Sequence, residues 1–75
     1  MNYKSPEILP GEYRHYKGPR YRVLFTAKHT ETDEQLVVYQ ALYGEHGYWV
    51  RPFDMFCESV EVDGKTVPRF ERVGD

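Results

Sequence analysis

Residues 20–43 read RYRVLFTAKHTETDEQLVVYQALY, two largely apolar stretches on either side of the polar run 30–34. Between residues 20 and 29 polar and apolar side chains alternate, broken only by Leu24, which is the period of a strand with one buried face. Residues 36–43 are rich in valine and tyrosine, residue types that suit a pleated, half-buried surface. Two strands about a polar turn form a β-hairpin, so this stretch predicts an all-β fold.

The register of this hairpin decides which side chains face the core, because a slip of one residue exchanges the two faces. We favour the register that places Phe25 opposite Val38. Its other pairs are Ala27 with Leu36, Tyr21 with Leu42, Leu24 with Tyr39, Arg22 with Ala41, and Arg20 with Tyr43. It keeps two tyrosine hydroxyls out of the core, where each would need a partner, and forms a basic and aromatic patch on the outer face. In the alternative register Phe25 lies opposite Tyr39, the tyrosines point inward and the patch disappears.

Shorter segments flank the hairpin. Residues 12–16 predict a strand that ends at Gly18-Pro19, and residues 48–51 predict another after a turn bounded by two glycines. The next residues, from Pro52 to Phe56, are too few for a stable helix and suit one helical turn. This order predicts β segments on both sides of the long hairpin.

The last part of the chain predicts a second hairpin. An Asp63-Gly64 turn joins residues 60–62 to residues 66–70, and Pro68 indicates that the final strand lies at an edge. The whole order resembles an SH3-like small barrel of about five strands with one short helical turn near Phe53–Phe56.

The length of 75 residues fits one domain. Proline and glycine residues interrupt regular structure near the N-terminus. They predict a flexible N-terminal lead-in at residues 1–10, followed by a single barrel domain at residues 11–72. A domain of this size buries only roughly 60% of the surface of its unfolded chain, so most large apolar groups must serve the core. The predicted aromatic core consists of Tyr21, Phe25, Trp49, Phe53 and Phe56.

Charge and cysteine usage narrow the class of protein. The net charge is −2, with basic residues in excess before residue 30 and acidic residues in excess after it, which predicts one basic and one acidic face. A single cysteine, Cys57, permits no internal disulfide, whereas small secreted domains use several. No run approaches the roughly 20 apolar residues of a membrane span. These features predict a cytoplasmic protein with no membrane partner.

Aromatic and basic residues together suggest a binding surface. The predicted ligand-binding residues are Tyr16, Lys17, Arg20, Arg22, Tyr39, Tyr43 and Arg51. Flat rings for stacking and cations for phosphate suit nucleic acid or a nucleotide, so a noncatalytic binding domain is the leading hypothesis. The same residue types dominate protein hot spots, which leaves a protein partner or homodimerisation as the alternative. Trp49 is interpreted as core, with Arg51 paired to Asp54 or Glu58.

A metal-binding or catalytic role is the lesser alternative. His29 and Glu31 lie two apart, so on a strand both would face one side, where His15 could join them as a polar cluster. Zinc sites usually present four ligands at recurrent spacing, and we therefore favour capping of the hairpin turn by His29 and Glu31. Cys57 follows two apolar residues and is predicted to be a buried structural thiol. Glycine-rich phosphate loops and nucleophile elbows are missing from the sequence, so no metal, cofactor or catalysis is predicted.

Several short strings resemble a known family. They are YRHYKG at 13–18, HTET at 29–32, VVY at 37–39, LYG at 42–44, WVRP at 49–52 and MF at 55–56. This pattern resembles the bacterial domain-of-unknown-function family 1653 over residues 9–70. The resemblance implies a short bacterial cytosolic domain with no established activity, substrate or cofactor. It also makes the matching polar positions candidates for a shared site: His15, Lys17, His29, Glu31 and Arg51.

Overall fold

The computed structural model describes residues 8–75 as seven strands and one short helix. In chain order these are β1 (Gly11–His15), β2 (Arg20–Lys28), β3 (Gln35–Ala41), β4 (Tyr48–Pro52), α1 (Phe53–Phe56), β5 (Ser59–Val62), β6 (Lys65–Pro68) and β7 (Phe70–Gly74). Five strands form one antiparallel sheet in the order β4-β3-β2-β1-β7, and β5 pairs with β6 as a separate hairpin. The all-β class and the helical turn are confirmed.

The predicted count of five strands is wrong, because the last segment divides in two. β6 ends at Pro68, which has no N–H to donate to a ladder. Arg69 then donates its N–H to the carbonyl of Glu58 and accepts one from Tyr16, which turns the chain towards β1. From Phe70 onward the chain pairs with β1. Strands β4 and β7 are therefore the two outer strands, and backbone pairing among residues 8–75 does not close the sheet into a barrel.

A β-bulge at Leu24 divides the long hairpin into two registers. Between the turn and Phe25 the favoured register holds, with Phe25 opposite Val38. Beyond Leu24 it shifts, so that Val23 lies opposite Tyr39 and the inner face of β2 carries Tyr21 and Val23. A bulge inserts one extra residue into one strand, which exchanges the faces beyond it. The predicted pairs Tyr21–Leu42, Leu24–Tyr39, Arg22–Ala41 and Arg20–Tyr43 are therefore wrong.

The core lies between the inner face of the sheet and α1. It consists of Tyr13, Val23, Val37, Tyr39, Phe56 and Phe70, with Ile8, Tyr21 and Phe53 packed against it. The rings of Phe56 and Phe70 are stacked, with centroids 4.1 Å apart and planes 2° apart. Phe56 is thus confirmed as core, and Phe53 and Tyr21 contribute from the margin.

Three aromatic placements are wrong. Phe25 is 56% exposed and Trp49 is 58% exposed, whereas Tyr39 is only 5% exposed. Phe25 faces outward because the bulge reverses the faces of β2, and Trp49 lies on β4 at the edge of the sheet. Tyr39 faces inward and satisfies its hydroxyl there with a hydrogen bond from Arg51.

The sheet is curled, so that its two outer strands approach each other through side chains. The guanidinium carbon of Arg51 on β4 lies 5.5 Å from the ring centroid of Phe70 on β7. Ile8 packs against the core, and the carbonyl of Leu9 accepts a hydrogen bond from the Tyr13 hydroxyl. The rest of the predicted lead-in, residues 1–7, lies outside the described residues. Within residues 8–75, no helix has the length and apolar character needed to cross a membrane.

Candidate ligand-binding site

The concave side of the curled sheet carries a continuous set of aromatic and basic side chains, which we call the aromatic–basic surface. Its members are His15, Tyr16, Lys17, Tyr21, Tyr39, Tyr43, Trp49, Arg51 and Phe70. Tyr39 and Phe70 are the buried core rings on which the other members rest. All except Trp49 are linked to another member through ring packing, a hydrogen bond or a cation–π contact, and Trp49 is included as the cross-strand neighbour of Tyr39. The surface therefore joins five strands and the two loops that follow β1 and β3.

Three tyrosines form one end of this surface. The hydroxyls of Tyr21 and Tyr43 lie 2.8 Å apart, and the Tyr21 ring packs against that of Tyr39 at 5.3 Å. Burial raises the pKa of Tyr21 to about 12, and the hydrogen bond with Tyr43 acts in the same direction. Tyr21 therefore remains a neutral phenol at physiological pH and holds the half-exposed Tyr43 ring in place.

Arg51 occupies the middle of the surface. Because β4 pairs with β3, Arg51 lies opposite Val37 on the inner face. Its Nε donates to the Tyr39 hydroxyl at 3.3 Å, and its guanidinium lies over Phe70. The predicted pairing with Asp54 or Glu58 is wrong, since Glu58 pairs with Arg69 at 2.9 Å. Arg51 forms no salt bridge within residues 8–75, so its remaining N–H groups face the concave side without an acidic partner.

His15 forms the other end of the surface. Its ring packs edge-on against Phe70 at 4.9 Å and lies 4.6 Å from the ring of Tyr16. The N–H of Lys17 donates to His15 Nδ1 at 3.1 Å, so the neutral ring carries its proton on Nε2. Burial lowers the pKa of His15, and the nearby charges of Arg69, Arg51 and Lys17 lower it further. Arg69 is paired with Glu58, so Arg51 and Lys17 are the two cations that favour an anion beside His15.

Two predicted binding residues lie on the other face of the sheet. Tyr21 points inward, so its neighbours Arg20 and Arg22 point outward. Arg20 pairs with Glu12 at 2.9 Å, and Arg22 donates to the backbone carbonyl of Asp75. The predicted patch that joins these arginines to the tyrosines is not formed. The five other predicted residues are brought together: Tyr16, Lys17, Tyr39, Tyr43 and Arg51.

The predicted cluster of His15, His29 and Glu31 does not converge. His15, at the end of β1, lies beside the start of β2, and His29 comes just after the end of β2, a separation of about 30 Å along a nine-residue strand. His29 Nδ1 accepts the N–H groups of Glu31 and Thr32, at 3.1 and 3.4 Å, as expected of a residue that caps the turn. Within residues 8–75 no three His, Cys, Asp or Glu side chains are grouped as metal ligands.

Cys57 is exposed, which corrects the predicted buried thiol. Phe56 takes the core position at the end of α1, and the next residue points to solvent. Partial burial and the charge of Asp54 raise the pKa of the thiol. Nucleophilic cysteines usually show the opposite shift, because the thiolate is the reactive form.

Sequence reasoning missed three members of the surface: Tyr21, Trp49 and Phe70. Trp49 and Arg51 are two apart on a strand and therefore share a face, a signal that was present in the sequence. The position of Phe70 was not accessible in this way, because it depends on the pairing of β7 with β1. Tyr16 and Lys17 also line a groove of about 500 Å³ that continues to the β5–β6 hairpin through Val62 and Val67.

These features define a small all-β domain with a curled antiparallel sheet and an aromatic–basic concave surface. The chain belongs to the DUF1653 family of proteins of unknown function, whose family model matches residues 11–72. It is similar to a protein of that family from Bordetella bronchiseptica with a known crystal structure. The two are 42% identical, the match covers 89% of this chain and 88% of that one, and the TM-score is 0.83. No curated protein matches this chain.

Proposed function

We propose that this chain is a noncatalytic binding domain whose aromatic–basic surface binds a nucleotide or a short single-stranded nucleic acid. The observation that carries the proposal is the position of Arg51, which lies over the ring of Phe70 and on the same face of β4 as the exposed ring of Trp49. Arg51 has no acidic partner among the described residues, and it lies within the group of cations that lowers the pKa of His15.

The chemistry of each part of the surface fits this ligand class. Exposed aromatic rings stack on bases, and each stacked base contributes about 1–3 kcal/mol. A guanidinium presents a planar fork of N–H groups that matches a phosphate, and Lys17 adds a second cation. The net charge of −2 supplies no long-range attraction for a polyanion, so the surface suits a short ligand better than a long duplex.

We also propose an SH3-like architecture for the domain and a cytoplasmic location. Contact between Arg51 and Phe70 brings the outer strands together, which supports an SH3-like curl over a domain at residues 11–72. An exposed, unpaired thiol at Cys57 suits the reducing cytoplasm. The raised pKa of the Cys57 thiol gives no support to a catalytic role for this residue.

The experiment uses the single tryptophan, Trp49, as a fluorescence reporter within the proposed site. Titration with an oligothymidylate of about ten nucleotides, and separately with ATP, should quench this emission by stacking. Replacing Arg51 with Gln should weaken binding about 10- to 100-fold, because charge-assisted hydrogen bonds contribute about 1.5–3 kcal/mol. Arg20→Gln is the matched control, since Arg20 is an exposed arginine on the opposite face, and it should leave the affinity unchanged.

A second variant and two further measurements separate loss of binding from loss of structure and identify the kind of ligand. Arg51 also packs on Phe70, so Lys17→Gln serves as a second variant without that packing role. Binding should raise the pKa of His15, measured by NMR, because an anion favours the imidazolium. Affinity should also fall steeply with salt. The absence of quenching by both probes, or an equal loss of affinity in Arg20→Gln, would contradict the proposal, and salt-insensitive binding would favour a protein ligand instead.

A further inference from the structure

The outer strand β4 is an exposed edge whose protecting residues, Arg51 and Pro52, lie only at its C-terminal end. Its only strand partner among residues 8–75 is β3, and the ladder between them is regular, without a bulge. Three consecutive side chains are exposed: Tyr48 at 68%, Trp49 at 58% and Val50 at 58%. Long apolar edges are uncommon in monomeric proteins, because their free N–H and C=O groups can pair with another strand.

The other edge, β7, has the usual protections. A register shift at Glu12/Tyr13 interrupts its pairing with β1, and its exposed side chains include Glu71 and Arg72. Charged residues and bulges are the features that prevent pairing at sheet edges. The contrast indicates that β4 is open to a partner strand and that β7 is not.

Alternate residues of β4 direct their backbone N–H and C=O groups towards the free edge, where a second strand could bind them. Ala41 donates its N–H to the carbonyl of Gly47, so the residue pair 41/47 is hydrogen-bonded. Hydrogen-bonded and non-hydrogen-bonded pairs alternate along an antiparallel ladder. Trp49 and Arg51 therefore bond to β3, while the backbone groups of Tyr48 and Val50 point to the free edge. The backbone of Pro52 also points outward, so β3 does not lose a hydrogen bond through the absence of an N–H at this residue.

The sequence of β4 is complementary to itself when two copies run antiparallel about Val50. Val50 then faces Val50 of the second copy, and each exchanges an N–H···O=C bond with the other. Tyr48 lies opposite Pro52 of the second copy, whose carbonyl accepts its N–H. Trp49 lies opposite Arg51 of the second copy as a non-hydrogen-bonded pair, the kind in which side chains approach most closely. A guanidinium against an indole ring is the most favourable cation–π arrangement in proteins.

We propose that two copies of this chain form a twofold dimer by antiparallel pairing of β4 with β4, centred on Val50. The dimer is isologous, as twofold contacts require, and joins the two curled sheets into one of ten strands. It rests on the exposed edge and its register, and it engages Trp49 and Arg51, the two side chains that the proposed ligand would also contact. The interface is one strand wide and therefore belongs with weak, concentration-dependent complexes.

The test is sedimentation equilibrium of the wild type and of Val50 variants. The wild-type mass should rise with concentration from that of the 8.9 kDa chain towards twice that value. Val50→Lys and Val50→Asp should each be monomeric, because each places like charges opposite one another. An equimolar mixture of the two variants should form a heterodimer. Lysine and aspartate lie opposite each other only in the register that places residue 50 of one copy opposite residue 50 of the other.

Phe25→Lys is the matched control. Phe25 is 56% exposed and, like Val50, faces the outer side of the sheet, but it lies on the inner strand β2. It should leave the dimer intact, which distinguishes pairing at the edge from packing between two outer faces. Circular dichroism checks that each variant is folded, as expected for changes at exposed positions. A wild type that stays monomeric at about 1 mM, the weak limit for specific complexes, overturns the proposal. A mixture that stays monomeric, or loss of the dimer in Phe25→Lys, also overturns it.

Discussion

The ring of Phe56 is the central contact of the core. It lies 4.1 Å from the ring of Phe70, 5.5 Å from Tyr39 and 5.7 Å from Tyr13, and it is only 1% exposed. These partners come from β7, β3 and β1, so one side chain of a four-residue helix links three strands of the sheet. The short helix contributes to stability through this ring rather than through its own backbone.

Replacing Phe56 with Ala should therefore destabilise the domain by about 3–5 kcal/mol, the usual cost of removing a buried aromatic ring. A domain has about 5–15 kcal/mol of stability in total, so this variant should be close to unfolding. Phe25→Ala, at an exposed phenylalanine, should change stability by no more than about 0.5 kcal/mol. Urea unfolding followed by circular dichroism measures both, and similar losses in the two variants would contradict the assigned burial.

The residue types alone could not place every aromatic. Phenylalanine and tryptophan bury more favourably than tyrosine, which favoured Phe25 and Trp49 as core and left Tyr39 outside. The structure reverses this order because Tyr39 finds a donor in Arg51, 12 positions away. A buried hydroxyl is acceptable once it is hydrogen-bonded, and that partner is visible only in three dimensions.

At the scale of elements, Gly11 controls how closely β1 and β7 approach. Its φ is +140°, and a Cβ added there would lie 2.5 Å from the backbone oxygen of Gly74. A backbone atom cannot rotate away as a side chain can. Any larger residue at this position must therefore move β7.

Gly11→Ala should destabilise the domain by about 2–5 kcal/mol, from backbone strain and from the clash together. The comparison is Gly64→Ala in the β5–β6 turn, where φ is also positive, at 79°, but the added Cβ meets nothing within 4 Å. That variant should lose only about 1–2 kcal/mol, the cost of a left-handed conformation. Equal losses in thermal or urea unfolding would show that β7 is not held against β1 at Gly11.

Most elements were predictable from the sequence, and their connections were less so. Strands β2 and β3 follow from alternation and β-branched residues, and the β5–β6 turn follows from Asp63-Gly64, where both residues have positive φ. The alternation of β2 breaks at Leu24, where the bulge lies, but the apolar run of residues 23–25 fits either face, so the sequence did not show how the register changes there. β7 was missed because its sequence, FERVG, has only two apolar residues and no alternation, and its partner β1 lies at the other end of the chain.

At the scale of the whole molecule, stability should fall in alkaline solution. Folding raises the pKa of Tyr21 from 10.0 to about 12, so above pH 10 the unfolded chain loses this proton more readily than the folded one. The stabilising contribution is complete below pH 10 and is lost as the pH rises towards 12. The free energy of unfolding, measured by urea at several pH values, should therefore decline over this interval.

Tyr21→Phe should reduce that decline, because it removes the hydroxyl that titrates. Tyr48→Phe is the control, since Tyr48 is on the exposed edge strand and makes no hydrogen bond through its hydroxyl to residues 8–75. It should keep the wild-type profile. An unchanged decline in Tyr21→Phe would assign the alkaline loss to other groups.

The candidate site could be predicted in part, because its residue types follow from the sequence whereas their grouping depends on the shape of the whole sheet. Tyr16, Lys17, Tyr39, Tyr43 and Arg51 were chosen by chemistry, and the curl of the sheet brings them together. Arg20 and Arg22 have the same chemistry but are separated from them by the bulge. Residue type thus indicates what a surface can bind, and the pleat decides which residues share it.

The pairing of β1 with β7 also bears on how the chain acquires its structure. Arg72 donates hydrogen bonds to the carbonyl of Pro10, 62 positions earlier, and Phe70 completes a core that begins at Ile8. Contacts over such separations must overcome the loop entropy of almost the entire chain, which slows folding. During synthesis the β2–β3 hairpin is available early but has no complete core to cover it. The domain should therefore become stable only once nearly all of it has left the ribosome.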